Sequence, residues 1–162
     1  MESLLYTGVL MGLGATVLMD FWALLLYRLA RVALPNWALV GRWVMYLPRG
    51  LVFHNAISAA QPQPRELQIG WAFHYLVGVI YGVFFTLLAG SAWIAEPTFL
   101  PAFVYALATI AAGWFLLHPG LGLGWAASKA DSPSKVRIMG LVSHSLFGFG
   151  LWLVAVLVAV PA

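Results

Sequence analysis

The sequence has no cysteine among its 162 residues, and only 8% of its residues carry a charge. Without cysteine the chain can form no disulfide framework, no thiolate zinc or iron–sulfur site and no cysteine nucleophile. The scarcity of charge excludes more, because 63% of the residues are hydrophobic and the mean hydropathy is +0.93. Neither a soluble domain nor a disordered chain has so apolar a composition. The sequence therefore predicts a protein whose solvent is a lipid bilayer.

Four long apolar segments stand out along the chain. A membrane-spanning helix needs about 20 mostly apolar residues, and such runs occupy residues 4–27, 67–88, 100–117 and 138–160. Prolines and glycines interrupt the long connection between the first two runs and prevent another full span there. The sequence thus predicts an all-α integral membrane four-helix bundle, built as a single transmembrane domain over residues 1–162.

The basic residues are distributed unevenly between the connections. All eight lysine and arginine residues lie in or beside the first and third connections, and the second has none. By the positive-inside rule the first and third connections are cytoplasmic. Both termini are therefore predicted on the non-cytoplasmic side of a cell inner (plasma) membrane that the chain crosses several times. The same rule accounts for the net charge of +3, so we expect no nucleic-acid partner.

Three ionisable side chains, Asp20, His74 and His144, lie inside the predicted spans. Each is seven or eight residues from a charged residue at the cytoplasmic end of its helix, which is about 10 to 12 Å at ~1.5 Å per residue. An ionisable group in hydrocarbon costs several kcal/mol, so such groups face the interior of a bundle and find partners there. The sequence predicts that these three side chains share one depth.

Small residues accompany these side chains on the same side of each helix. Residues four apart share one side of a helix, and small residues mark where another helix comes close. The three resulting rows are Gly8, Gly12, Thr16 and Asp20; Gly70, His74, Gly78 and Gly82; and Gly140, His144 and Gly148. We therefore expect Asp20, His74 and His144 to point toward a common centre. Four further side chains are near enough in sequence to supplement them: Tyr75, Tyr81, Ser143 and Ser145.

The chemistry of these side chains favours a bound metal or haem. Two histidines at one depth on facing helices can ligate a haem iron, and two histidines with a carboxylate can hold a transition metal ion such as zinc, iron or copper. The first function predicted is therefore intramembrane metal or haem binding with a redox role. His74 and His144 would be the cofactor ligands, and Asp20 a metal ligand or a partner of the ligands.

The same three groups also suit other functions. Ionisable residues at mid-depth relay protons or bind polar substrates in transporters. The main alternative is therefore a small-solute or proton-coupled transporter, working as a homodimer because four spans leave little room for two gates. A structural subunit of a membrane complex, or a network that only locks helix packing, also agrees with the pattern. The sequence leaves open whether the protein is an enzyme.

A second set of residues lies nearer the predicted cytoplasmic surface. His118 and His54 can cap the intramembrane site from below, although contact with interfacial water accounts for them more simply. Arg42 and Arg49 lie on the same side, where the positive-inside rule explains them without a ligand. Residues 120–124 alternate glycine and leucine, and such a stretch exposes backbone donors that can cradle an anion such as a lipid phosphate.

Six short strings of this sequence also resemble a known family. They are GATVLMD at residues 14–20, GRW at 41–43, PRG at 48–50, GWAFHY at 70–75, PGLGLGWAAS at 119–128 and HSLFG at 144–148. In order and spacing they resemble an uncharacterised (domain-of-unknown-function) family of small four-span bacterial inner-membrane proteins. The resemblance covers nearly the whole chain. It implies a class of protein and no activity.

The resemblance also marks particular positions. The family pattern includes the positions of Asp20, Arg42, Arg49, His54, His74 and His144. At the positions of His118 and Tyr46 the family more often has glutamine and histidine, respectively. The resemblance therefore does not support a scheme in which all four histidines of this chain are ligands.

Overall fold

The computed structural model describes residues 2–159, and every regular element within that range is helical. The helices are α1 (Glu2–Ala30), α2 (Trp37–Tyr46), α3 (Glu66–Ala95), α4 (Phe99–Ala112), α5 (His118–Leu121) and α6 (Pro133–Val158). A π-helical turn, Gly113–Leu117, joins α4 to α5, and 3-10 turns occupy Leu47–Arg49, Ile57–Ala59 and Trp125–Ala127.

Four helices are long and apolar enough to cross a membrane. They cover Glu2–Ala30, Glu66–Ala95, Phe99–Leu121 and Pro133–Val158. The prediction of an all-α fold with four helices long and apolar enough to cross a membrane is therefore confirmed. The second and third of these helices are longer than the predicted spans, 67–88 and 100–117. The predicted end of the fourth span, Val160, lies outside the described residues.

The third membrane-crossing helix changes its hydrogen-bond pattern just before a proline. Pro119 has no backbone N–H, and its ring collides with the carbonyl four residues earlier in a regular α-helix. The helix widens instead, and the backbone N–H of His118 donates to the carbonyl of Gly113, five residues back. This π-helical turn lets the chain pass through the proline without a break, so the helix extends beyond residue 117.

The chain divides into two compact units. The first consists of Met1–Leu34, Tyr75–Thr109 and Val142–Ala162, and the second of Pro35–His74 and Ile110–Leu141. The core of the first unit is rich in alanine: Met11, Ala15, Phe85, Ala102, Ala106, Phe147, Leu151 and Ala155 are all buried. Small side chains at such positions let helix backbones approach closely.

Glycines mark the closest helix contacts in the first unit. A β-carbon on Gly12 of α1 would overlap the carbonyl oxygen of Gly78 in α3, and one on Gly150 of α6 would lie 2.6 Å from the α-carbon of Ala15 in α1. Real β-carbons do not approach this closely. The row of small residues on α1, and Gly78 and Gly82 of the row on α3, therefore lie where these two helices meet.

The second unit joins the first and third connections. Trp43 of α2 is buried, and its indole N–H donates to the carbonyl of Val52 at 2.8 Å. Gly120 packs directly against the Trp43 indole, and Gly122 packs against the backbone of Asn55. The two connections therefore pack against each other, as expected for connections separated by two membrane crossings.

Candidate functional site

Asp20 is held by a tyrosine of the neighbouring helix. Its carboxylate accepts a hydrogen bond from the Tyr75 hydroxyl at 2.8 Å. Tyr75 lies three residues before Gly78, whose α-carbon packs against the Thr16 side chain of α1. Thr16 is one helical turn before Asp20. The glycine contact thus brings α1 and α3 close enough for the bond to form. Both Asp20 and Tyr75 are half-buried.

His144 is held by α4. Its Nδ1 lies 3.0 Å from the Thr109 hydroxyl and 3.0 Å from the Ala106 carbonyl, while the Thr109 hydroxyl itself donates to that carbonyl at 2.6 Å. A carbonyl oxygen only accepts, so we assign the proton of the neutral ring to Nδ1 and the lone pair to Nε2. Nε2 is therefore the atom of His144 that can take up a proton or ligate a metal.

Asp20 and His144 lie at nearly the same depth within the first unit. The α1 and α6 helices run in opposite directions and touch at Ala15 and Gly150. Asp20 is five residues beyond Ala15, and His144 is six residues before Gly150. At ~1.5 Å per residue these positions are about 7.5 and about 9 Å from the contact, toward the same end. The depth calculated from the sequence agrees with the packing for this pair.

His74 belongs to the second unit, where aromatic rings surround it. Its ring stacks on Trp37, with centroids 4.0 Å apart and planes at 26°, and meets Trp71 at 5.9 Å and 63°. Trp37 opens α2, and α2 lies against the start of α3 because Gly41 and Gly70 let the two backbones approach. The stacking fixes the orientation of the imidazole ring.

The described residues hold no three-ligand metal centre. Among residues 2–159 no group of three or more histidine, aspartate or glutamate side chains is arranged to hold a metal ion. Asp20 and His144 belong to one unit and His74 to the other. Ligation of one metal ion by Asp20, His74 and His144 together stays a prediction.

Arg42 has a structural role that the sequence did not reveal. Its guanidinium forms a two-pronged ion pair with Glu66, at 2.8 and 2.9 Å, and its Nη1 donates to the carbonyls of Ile57, Ser58 and Ala60. The residue is only 8% exposed. The hydrogen bond to Glu66 raises the pKa of Arg42 above its ordinary value, although desolvation opposes the shift. Arg42 thus ties the first connection to the start of α3.

Arg49 also acts within the first connection. It is exposed, its Nη2 donates to the side chain of Gln63 at 3.3 Å, and its guanidinium lies 5.0 Å from the centre of the Tyr46 ring. Such exposed contacts contribute little to stability. Arg49 therefore differs from Arg42 in its exposure and in the strength of its contacts, although the sequence alone does not distinguish the two residues.

Both secondary histidines lie in the second unit and carry a buried, unpaired ring nitrogen. The Nδ1 of His54 lies 3.0 Å from the carbonyl of Gly120. The Nε2 of His54 and the Nδ1 of His118 are buried, and neither has a hydrogen-bond partner within the described range. Desolvation by burial disfavours such unpaired atoms, so each one requires an explanation.

A family model covers almost all of the chain. The model, described as a protein of unknown function (DUF2938), matches residues 9–158. The chain belongs to the DUF2938 family. The match extends from the first membrane-crossing helix to the last, and it confirms the resemblance seen in the short sequence strings. No curated protein and no solved structure matches the chain.

For this DUF2938 member, one residue that contacts the predicted site was missed in the sequence. Thr109 holds the His144 ring, yet in the sequence it is an isolated threonine within an apolar span. Its position, nine residues before His118, puts it near the depth calculated for His144, and a search for hydroxyl groups at that depth would have found it. Membership of the family brings no activity, so function has to be argued from these side chains.

Proposed function

We propose that this DUF2938 protein is a small membrane transporter that moves a proton, alone or with a small polar solute, by means of Asp20 and His144. The observation that carries the proposal is that both groups lie within membrane-crossing helices and both are hydrogen-bonded to hydroxyl groups, those of Tyr75 and Thr109. Ionisable groups at such depth are costly and mark proton or substrate pathways in membrane proteins.

Burial supports transport over a role in packing alone. Thr16 and Thr86 are fully buried, and their hydroxyls donate to backbone carbonyls, which is what side chains that only secure helix packing do. Asp20, Tyr75 and His144 are half-buried instead. Each of these side chains therefore keeps part of its surface open to a molecule other than the helices it packs against, which binding of a proton or a polar solute requires.

Protonation changes what these groups can bind. An ionised Asp20 only accepts hydrogen bonds, whereas a protonated carboxyl group also donates one. The Nε2 of His144 changes from acceptor to donor when the ring is protonated. Loading a proton onto Asp20 also removes a charge whose burial in hydrocarbon is unfavourable. Proton binding can thereby favour one conformation over another, and the proposal includes a homodimer that supplies the second gate.

Proton flux through reconstituted protein tests the proposal. The purified chain is placed in liposomes that contain a pH-sensitive dye, a pH gradient is imposed, and the membrane potential is clamped with potassium and valinomycin. We expect the gradient to collapse faster than in protein-free liposomes prepared in parallel. Equal rates in the two preparations would overturn the proposal.

The proposed orientation places both termini on the non-cytoplasmic side of the inner membrane. The chain has no cysteine, so a single introduced thiol reports its own accessibility. The two variants are Ala95→Cys, at the exposed C-terminal end of α3, and Ser134→Cys, at the exposed N-terminal end of α6. The proposed orientation puts these two helix ends on opposite sides of the membrane. In intact spheroplasts, we expect an impermeant thiol reagent to label the first variant and to reach the second only after permeabilisation. The reverse pattern would invert the topology.

A bound haem or transition metal ion is a second candidate function, and one observation favours it. In metal-bound histidines the other ring nitrogen usually donates to a carbonyl or carboxylate, as the Nδ1 of His144 does to Ala106. If the protein binds haem or a metal ion, His74 and His144 would be the ligands. Asp20 would be a further ligand or would form a hydrogen bond with a ligand, and the protein would have a role in redox chemistry.

Elemental analysis and a visible absorption spectrum of the same detergent-purified sample test the second candidate. We expect stoichiometric metal, with a haem band if the metal is haem iron, and we expect both His74→Ala and His144→Ala to lose it. A matched His118→Gln variant should keep it. Metal retained in both alanine variants, or absent from the parent protein, would refute this candidate.

A further inference from the structure

A cavity of about 550 Å³ opens on the surface of the second unit. Pockets for small ligands commonly measure roughly 300 to 1,000 Å³. The lining combines aromatic with polar and cationic side chains: it includes Phe53, His54, Gly124, Trp125, Ser128 and Lys129. None of these residues takes part in the intramembrane site formed by Asp20 and His144, so the cavity requires a separate explanation.

The loop on one side of the cavity is folded so that its polar residues are held in place. Gly122 and Gly124 have φ angles of 89° and 70°, a region that favours glycine. The backbone N–H of Lys129 donates to the carbonyl of Leu123 at 2.8 Å, which folds the loop back on itself. A β-carbon on Gly124 would overlap the Ser128 hydroxyl. Glycine at position 124 therefore makes room for Ser128 beside the cavity.

His54 also lines the cavity and is fixed in orientation. Its Nδ1 donates to the carbonyl of Gly120 at 3.0 Å, and its ring meets the Tyr46 ring edge-on at 5.3 Å. Its Nε2 is buried without a partner among the residues described. A polar ligand that forms a hydrogen bond with this nitrogen would relieve the unfavourable burial.

Lys129 is the cation that this cavity can offer to a ligand. Arg42 is used by Glu66 and by three carbonyls, and the Nε of Arg137 donates to the carbonyl of Ala126. Lys129 is exposed, and it takes part in no ion pair within residues 2–159. No carboxylate of the described chain therefore neutralises Lys129.

We propose that this cavity binds a phosphate-bearing ligand, either a phospholipid headgroup or a free phosphorylated molecule. Lys129 supplies the positive charge, Ser128 donates a hydrogen bond to a phosphate oxygen, and the aromatic rings contact the apolar part of the ligand. The proposal stands on the cavity alone and does not depend on the proposed transport function.

The aromatic residues at this cavity suit a ligand at the membrane surface. Phe53 is 65% and Trp125 68% exposed, and the loops that carry them connect membrane-crossing helices. Tryptophan is enriched where a bilayer meets water, because its ring combines an apolar body with a polar N–H. A cationic group beside such rings matches the phosphate and glycerol region of an anionic lipid.

Isothermal titration of the full-length protein in an uncharged detergent tests the proposal. Three probes are compared: dihexanoyl phosphatidic acid, dihexanoyl glycerol, which lacks the phosphate, and glycerol 3-phosphate, which lacks the chains. Binding of the first alone supports a lipid headgroup. Binding of glycerol 3-phosphate as tight as that of the lipid supports a free phosphorylated ligand. Binding of the phosphate-free probe as tight as that of the lipid, or no binding of either phosphate probe, overturns the proposal.

Two charge-matched variants separate a built site from general attraction to positive charge. Lys129→Gln should weaken binding of the phosphate probe about tenfold, the effect of losing one charge-assisted hydrogen bond. Lys135→Gln removes an equal charge from an exposed position in the first turn of α6 and should leave binding unchanged. Equal weakening in the two variants contradicts the proposal. Ser128→Ala, also at an exposed position, should weaken binding severalfold without affecting thermal stability.

Discussion

We expect Asp20→Asn to lower proton flux through the reconstituted protein by roughly 100-fold, the scale of losing a positioned proton-transfer group. Asparagine has nearly the same shape as aspartate, and its amide oxygen can still accept the hydrogen bond that Tyr75 donates to Asp20 at 2.8 Å. Helix packing should therefore survive the substitution. Asparagine cannot bind and release a proton as a carboxylate can, so the loss should fall on flux. Dye-filled liposomes with matched protein content measure it.

Two control variants separate transport from packing. Tyr75→Phe keeps the ring and removes the hydroxyl, so it should reduce flux less than Asp20→Asn does. Ser91→Ala removes a hydroxyl from an exposed position of the same helix, α3, and should behave as the parent protein. If Asp20→Asn retains full flux but unfolds at a lower temperature, Asp20 serves packing and the transport proposal is wrong.

The largest effect on stability is expected from Arg42→Met. Methionine fills a similar volume but leaves Glu66, whose side chain is only 17% exposed, without its two-pronged partner. It also removes the donor to the carbonyls of Ile57, Ser58 and Ala60. Removing one partner of a buried ion pair typically costs about 3 to 5 kcal/mol. We expect a loss near 3 kcal/mol, about the lower end of that range, measured by denaturant titration of the detergent-purified protein.

Arg49→Met provides the matched control for that measurement. Arg49 is exposed, and its loss should cost no more than about 1 kcal/mol. The double variant Arg42→Met with Glu66→Gln should recover part of the lost stability, because the carboxylate left without its partner is then removed. Similar losses for the two arginine variants would show that Arg42 does not tie the first connection to α3.

The membrane-crossing helices could be read from hydropathy alone, whereas their ends could not. Apolar composition over about 20 residues is a local property, and it located all four helices. The third helix extends past residue 117 because its backbone widens before Pro119, an adjustment that hydropathy does not register. The second continues to Ala95, and within it Gly90 has φ 77°, a conformation that only the backbone coordinates reveal.

The depth of the ionisable residues could also be predicted from the sequence, but their hydrogen-bond partners could not. Counting residues along helices placed Asp20 and His144 at one level, since the rise per residue is constant, and the contact between Ala15 and Gly150 gives the same result. That Thr109 holds His144 depends on how α4 and α6 are rotated about their axes. Helix rotation follows from packing against neighbours, which a one-dimensional pattern does not contain.

The sequence by itself determined the apolar character of this protein, the number of helices long enough to cross a membrane and the shared depth of Asp20 and His144, because composition, length and helical rise are local quantities. Only the tertiary structure decided that Arg42 binds Glu66, that the His74 ring stacks on Trp37, and that a cavity forms beside Lys129. These contacts join residues distant in sequence. They depend on glycines that let particular backbones approach, and that approach is a property of the packed helices.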